Sequence, residues 1–105
     1  MRALKAFEAL GEHTGAIVAR LEDEDEGVRL LAVMALKALG EHAKEHAGAI
    51  AARLEDENKD VRKAALRALE AFEALREHAG AIVARREDEN EGVRLLALLA
   101  LDTLG

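Results

Sequence analysis

Three acidic stretches hold the residues best suited to chemistry. Asp23-x-Asp25-x-Gly27, Asp56-x-Asn58-x-Asp60 and Asp88-x-Asn90-x-Gly92 alternate oxygen ligands as a calcium-binding loop does at its start. Such a loop also needs a bidentate Glu at its twelfth position to close the oxygen cage. Those positions carry Met34, Arg67 and Leu99, so the motif fails as a calcium site. The same residues suit a structural role. Asp25, Asn58 and Asn90 each precede an apolar-periodic run. That is the N-cap position, where a side-chain oxygen accepts from first-turn amides and contributes about 1 kcal/mol. The neighbouring carboxylates complement the positive end of a helix.

His42 and His46 stand four residues apart, a spacing that on one helix could turn two imidazoles toward a metal. Zinc needs a third or fourth ligand, and only Glu41 and Glu45 are near in sequence. His46 has counterparts in His13 and His78 that lack this companion, so a structural role near a helix start is expected. The 21 acidic residues guarantee chance carboxylate pairs, but nothing suggests a dry pocket that would tune one of them for general acid–base work. Cysteine and serine are absent, which removes thiolate sites, disulfides and Ser-type triads. There is no Gly-rich phosphate loop and no His-Glu-x-x-His. The expectation is no catalytic residue, no metal and no cofactor.

The elements that would position these turns form an internal repeat. His13 to Arg29 (HTGAIVARLEDEDEGVR) recurs as His46 to Arg62 and again as His78 to Arg94, at offsets of 33 and 32 residues. Self-similarity at this period signals stacked repeats. The 105 residues read as one domain, with a partial repeat at 1–11 and full repeats at 12–40, 41–75 and 76–105. Each full repeat reads as a first helix, an acidic turn and a second helix. The first helices turn Ile17, Val18 and Leu21, then Ile50 and Leu54, then Ile82 and Val83 inward. In the second helices, Val28, Leu31, Ala32, Ala35, Leu36 and Leu39 share one face at helical period. So do Val61, Ala64, Ala65, Ala68, Leu69 and Phe72, and Val93, Leu96, Ala97, Ala100, Leu101 and Leu104. Phe7 aligns with Leu39, Phe72 and Leu104. Gly11 and Gly40 offer helix stops. Arg76 takes the place of Gly11, so one helix running through 59–88 is an alternative to two.

The apolar pattern has an irregularity. The second helix of repeat one carries a further apolar flank, Leu30, Val33 and Met34, and that of repeat three carries Leu95, Leu98 and Leu99. In repeat two the same flank is Lys63, Leu66 and Arg67. A solenoid is expected to make its middle repeat the most apolar. Residues 1–10 are available to cover the first flank, whereas no later helix follows the last. The second reading is that both flanks are buried inside one chain. Arg86, where Leu21 and Leu54 stand in the other repeats, suits an uncovered edge.

With the acidic turn and its following Val-Arg in view, the unit resembles a HEAT or HEAT-like repeat. In that family an Asp five residues before a Val, followed by Arg or Lys, marks the turn into the second helix. Here these are Asp23/Val28/Arg29, Asp56/Val61/Arg62 and Asp88/Val93/Arg94. The resemblance covers nearly the whole chain. It implies an all-α, short right-handed α-solenoid of about three hairpins plus the N-terminal partial repeat. It also implies a ladder in which Asp23, Asp56 and Asp88 and Arg29, Arg62 and Arg94 join neighbouring repeats. The family's first-helix proline would fall at Gly15, Gly48 and Gly80. HEAT repeats mostly bind other macromolecules, so the resemblance implies a scaffold or binding role and no activity.

Proline, glutamine, tyrosine and tryptophan are also missing, a reduced alphabet that points to an artificial or computationally derived sequence. The net charge of −6 and the lack of any basic run argue against nucleic acid. No apolar run reaches the length of a membrane span and the start is not a signal peptide, so a soluble, cytoplasmic chain without a membrane partner is the expectation. Two functions remain open. The first is a non-catalytic scaffold that self-associates through the apolar C-terminal helix face, with a homodimer as the first guess. The second is a module presenting one solenoid face to a protein partner.

Overall fold

The computed structural model describes residues 13–105, so the partial repeat read at 1–11 and the alignment of Phe7 lie outside the described residues. The protein is all-α, with no strand among those residues. Residues 13–19 form α1, which tightens into a 3-10 turn at Arg20–Glu22. The helices that follow are α2 (Glu26–Leu39), α3 (Ala47–Ala51), α4 (Lys59–Ala71), α5 (Ala79–Ala84) and α6 (Glu91–Leu104). The first helices are composite. A 3-10 stretch, Gly40–His46, leads into α3 and another, Ala52–Glu55, leaves it; α5 is flanked likewise by Arg76–His78 and Arg85–Glu87. The bend into each α segment falls at His46 (φ −96°, ψ 12°) and His78 (φ −120°, ψ 24°), two residues before Gly48 and Gly80.

Local chemistry sets the second helices. Asp25, Asn58 and Asn90 adopt extended backbone and accept the amides of Val28, Val61 and Val93, each at 3.1 Å. α2 and α4 end at positive-φ residues at one repeat position, Gly40 and Glu73, with φ of 56° and 57°. After α4 the amide of Ala74 donates to the Leu69 carbonyl at 2.9 Å, and that of Glu73 to Glu70 at 3.0 Å. This pair of bonds defines a Schellman stop. It rules out the alternative of one helix through 59–88. The stop lies at Glu73 rather than near Arg76, because the reversal needs a left-handed residue, not a glycine as such.

Packing follows the repeat. The helix α3 lies against α4 and α5 against α6, while α4 packs against α2 on one flank and α6 on the other. The protein measures 48 × 33 × 17 Å, and the short dimension matches two helix layers at the usual 8–10 Å interaxial spacing. The seam between layers is aliphatic: Leu21, Leu36, Ile50, Leu54, Val61, Leu69, Ile82 and Val93 are all but sealed from solvent. Phe72 and the small side chains Ala32, Ala65, Ala68, Ala97 and Ala100 complete it.

Three expectations about facing are corrected. Leu31 is 65% exposed and Val83 is exposed, whereas both were expected in the core. Conversely Val33 is fully buried and is not an interface residue. Each second helix has a core stripe and two flanks, and burial of a flank depends on which neighbour it meets. Leu30 and Met34 line the groove that α2 forms with Asp60, Ala64 and Arg67 of α4, so α4 adjoins this flank of α2; the expected cover by residues 1–10 lies outside the described residues. Ala64 is thus on the flank that faces backward along the chain. Its counterpart Leu31 occupies the same backward flank of α2, where no described helix covers it.

Candidate interaction surface

The ladder is the most ordered polar feature of the protein. Arg29 bridges consecutive turns. Its Nε donates to Asp56 Oδ2 at 2.8 Å and its Nη2 to Oδ1 at 3.1 Å, while Nη1 donates to the Asp23 carbonyl at 2.8 Å. Arg62 repeats the arrangement. Nη2 donates to Asp88 Oδ1 at 3.0 Å, Nε lies 2.9 Å from Oδ2, and Nη1 donates to the Asp56 carbonyl at 2.8 Å. Both arginines and both aspartates are buried. The aspartates are further held by amides, Asn58 to Asp56 and Asn90 to Asp88, each at 2.9 Å. Burial by itself would push the Asp56 carboxyl up. The Arg29 hydrogen bond, the Asn58 amide and the charges of Arg29 and Arg53 outweigh it and hold the group below its ordinary value. At Asp88 burial likewise opposes, and the Asn90 amide, the Arg62 bond and the charges of Arg62 and Arg85 prevail. The Arg29 guanidinium is raised in turn, chiefly by its bond to Asp56.

Neither end of the ladder is completed among the described residues. Asp23 accepts from the Asp25 amide at 2.9 Å and from Arg20 at 3.4 Å, but from no arginine of another repeat among the described residues. Arg94 donates through Nη1 to the carbonyl of Asp88 at 2.6 Å, and among the described residues no carboxylate ion pair is formed at its other edge.

A second set of arginines escaped the sequence reading. Arg20, Arg53 and Arg85 each sit three residues before a ladder aspartate and approach it, at 3.4, 3.5 and 3.2 Å. Arg53 also crosses between repeats to the Leu21 carbonyl at 3.0 Å. The signal was present as Arg at a constant three-residue offset in every repeat. The Nε atoms of Arg53 and Arg85 are buried without an acceptor, and that of Arg62, though 2.9 Å from Asp88 Oδ2, is not aligned for a hydrogen bond to it. The same orphan in successive repeats identifies it as a product of the ladder geometry.

The exposed apolar surface lies on α6. Leu95, Leu98 and Leu99 are 54%, 51% and 63% exposed, and they share one flank. By repeat position this is the forward flank, equivalent to Leu30, Val33 and Met34 on α2 and to Lys63, Leu66 and Arg67 on α4. On α2 it meets α4: Val33 is sealed, Leu30 is half-buried, and Met34 remains 52% exposed at the groove rim. On α4 it meets α6: Leu66 is buried and the Lys63 stem crosses the first turn of α6, where a Cβ on Gly92 would come within 2.6 Å of Lys63 Cε. Among the described residues, only on α6 is this flank without a covering helix. Arg86 is exposed at the last edge, its Nε donating to the Val83 carbonyl at 3.4 Å.

His42 and His46 occupy the 3-10 stretch Gly40–His46. With three residues per turn, positions four apart are rotated by about 120°, so the pair does not share a face as it would on an α-helix. His46 approaches Glu45 at 3.5 Å. Among the described residues no group of three or more His, Cys, Asp or Glu is arranged to hold a metal ion, and no helix is long and apolar enough to cross a membrane. Compared with known protein families and with curated proteins, the chain matches no family model and no curated relative.

Proposed function

We propose that this chain is a non-catalytic scaffold, a short solenoid of HEAT-like hairpins that self-associates through the forward flank of α6. The observation that carries the reading is the contrast between equivalent flanks. The flank that α4 covers on α2, and α6 covers on α4, is open on α6 and bears three leucines. Soluble monomers rarely leave such a contiguous apolar patch uncovered. Full burial of a leucine is worth about 1.5–3 kcal/mol, so covering the exposed half of three gains on the order of 3 kcal/mol. Association costs at least about 4 kcal/mol in lost rotational and translational freedom. When both copies contribute these leucines the gain doubles to on the order of 6 kcal/mol, which exceeds this minimum cost. The reduced residue alphabet supports an artificial origin, and the resemblance to HEAT repeats favours a binding role over an enzymatic one.

The test is light scattering coupled to size exclusion across a concentration series. Growth in mass with concentration is expected, and Leu95→Glu with Leu99→Glu should return the monomer. A wild-type monomer up to high micromolar concentration rejects the reading.

A second reading, a module that presents one face to a protein partner, has its own support. The groove between α2 and α4 has Leu30, Met34 and Ala64 as its apolar part, with Lys37, Lys63 and Arg67 along it. On a chain of net charge −6 this local basic rim suits an acidic amphipathic segment. Met34→Glu would abolish that binding and leave self-association unchanged.

A further inference from the structure

The groove between α2 and α4 has both walls in described helices, and the walls differ in kind. The α2 wall is apolar, with Leu30 half-buried and Met34 exposed at the rim. The residues of α4 at the same repeat positions are Lys63 and Arg67, and Ala64 is the small floor between the walls. Lys63 and Arg67 stand four apart, where like charges on one helix repel. In the turns, Arg20, Arg29, Arg53, Arg62 and Arg85 each meet a carboxylate. The groove cations Lys37, Lys63 and Arg67 form no ion pair among the described residues. A chain of net charge −6 thus gathers three cations against one carboxylate, Asp60, along an apolar strip. Residues 1–10, the segment expected to cover this flank, carry Arg2 and Lys5 against Glu8 and so have the wrong sign of charge for it.

The groove also has a direction. The Arg29–Asp56 bonds hold the start of α2 beside the start of α4, and the two helices pack together, so they run parallel. Asp60 lies in the first turn of α4, whereas Lys37 lies in the last turn of α2 and Arg67 past the middle of α4. The head of Lys63 is turned aside, over Gly92 of α6. The helix starts are therefore the negative end of the groove, and the helix ends the positive one. From Leu30 to Lys37 is two helical turns, about 10 Å at 1.5 Å per residue. The volume of about 290 Å³ is at the floor of the roughly 300–1,000 Å³ of small-molecule sites. An open strip of this length instead matches the i, i+4 and i+7 side chains of one docking helix.

We propose that this groove holds an acidic amphipathic helix of another protein, antiparallel to α2 and α4. Apolar side chains at i and i+4 of that helix pack on Leu30, Met34 and Ala64, and carboxylates in its first turns pair with Arg67 and Lys37. Acidic residues are best placed at a helix start, and the antiparallel direction sets the partner's positive end beside the negative ends of α2 and α4. In the reverse direction the same carboxylates would meet Asp60. The proposal rests on the partner-module reading above and adds the direction of the bound helix.

The experiment measures fluorescence anisotropy of labelled synthetic helices against the 105-residue chain. The first probe has Leu at i, i+4 and i+7 and Glu in its first two turns; the second moves the Glu residues to its last two turns; the third has Lys in place of Glu. The first should bind, the second at least fivefold more weakly, and the third not at all. Lys37 and Arg67 are exposed, so Lys37→Glu with Arg67→Glu leaves the core intact. That variant should weaken the first probe at least tenfold and bind the third. Equal binding of the first two probes overturns the antiparallel direction and leaves the partner-module reading standing. A first probe that is retained by Met34→Glu and lost with Leu95→Ser and Leu99→Ser sits on the α6 leucines and overturns the groove. Binding that emerges only after Leu4→Ser with Phe7→Ser makes the chain's own first ten residues the occupant and overturns an external partner. No binding of any probe to any variant overturns both the proposal and the reading beneath it.

Discussion

Replacing Glu73 with Gly should stabilise the protein, and the sign of the effect separates two geometries. Glu73 is the one non-glycine described residue with positive φ, at 57°, and it aligns with Gly40 and Gly105 at 56°. An L-residue in the left-handed region costs about 1–2 kcal/mol through the approach of Cβ to the following carbonyl. Glycine removes this strain but adds about 0.4–1 kcal/mol of unfolded-state entropy to be lost on folding. The side chain is exposed and makes no ion pair among the described residues, so backbone strain dominates the difference. The net gain should be about 0.5–1 kcal/mol. At about 4–8 °C per kcal/mol for a chain near 100 residues, Tm should rise by roughly 2–8 °C. Urea unfolding should show a higher midpoint at unchanged slope, the signature of a stability change without a change in exposed surface. Glu73→Ala is the control. Alanine suffers the same left-handed strain, so its stability should stay within about 0.5 kcal/mol of wild type. Were the chain instead one helix through this point, glycine would cost up to about 1 kcal/mol as an interior helix residue and alanine would help. A fall in Tm for Glu73→Gly, with a rise for Glu73→Ala, refutes the Schellman stop and the hairpin it creates.

Two further outcomes follow from the ladder. Asp56→Ala leaves Arg29 buried beside an empty position, and breaking one side of a buried pair costs about 3–5 kcal/mol, against roughly 1 kcal/mol or less for Asp23→Ala, whose ion pair is exposed; equal losses in urea denaturation would show that burial does not distinguish the steps. Asp56 and Asp88 are held below their ordinary carboxylate value of 3.8, so the stability they confer is fully present above that pH and is lost as pH falls through their lowered values. Unfolding free energy should therefore decline below about pH 4, and Asp56→Asn with Asp88→Asn should flatten that decline; an unchanged acid limb would place the responsible carboxylates elsewhere.

The sequence determined what depends on short-range signals. Helical spacing named the core stripe from Leu36 to Val93, and an Asp or Asn before each Val-Arg marked a cap that closes within three residues. The aspartates and arginines of the ladder were legible by resemblance, since each occupies one position in every turn. The tertiary structure decided which flanks are covered. Val33 and Leu98 stand at one repeat position and are both apolar, yet one is sealed and the other half exposed. Leu31 carries a core-type side chain and is 65% exposed, with no described helix over it. The period of a helix gives the angle of each residue about its axis, but burial depends on whether another helix stands at that angle. That is set by order along the stack, to which a local pattern is blind. The stop at Glu73 was hidden differently: its left-handed backbone is imposed by the Ala74–Leu69 reversal and the packing of Phe72 and Leu75, and a glutamate gives no local sign of it.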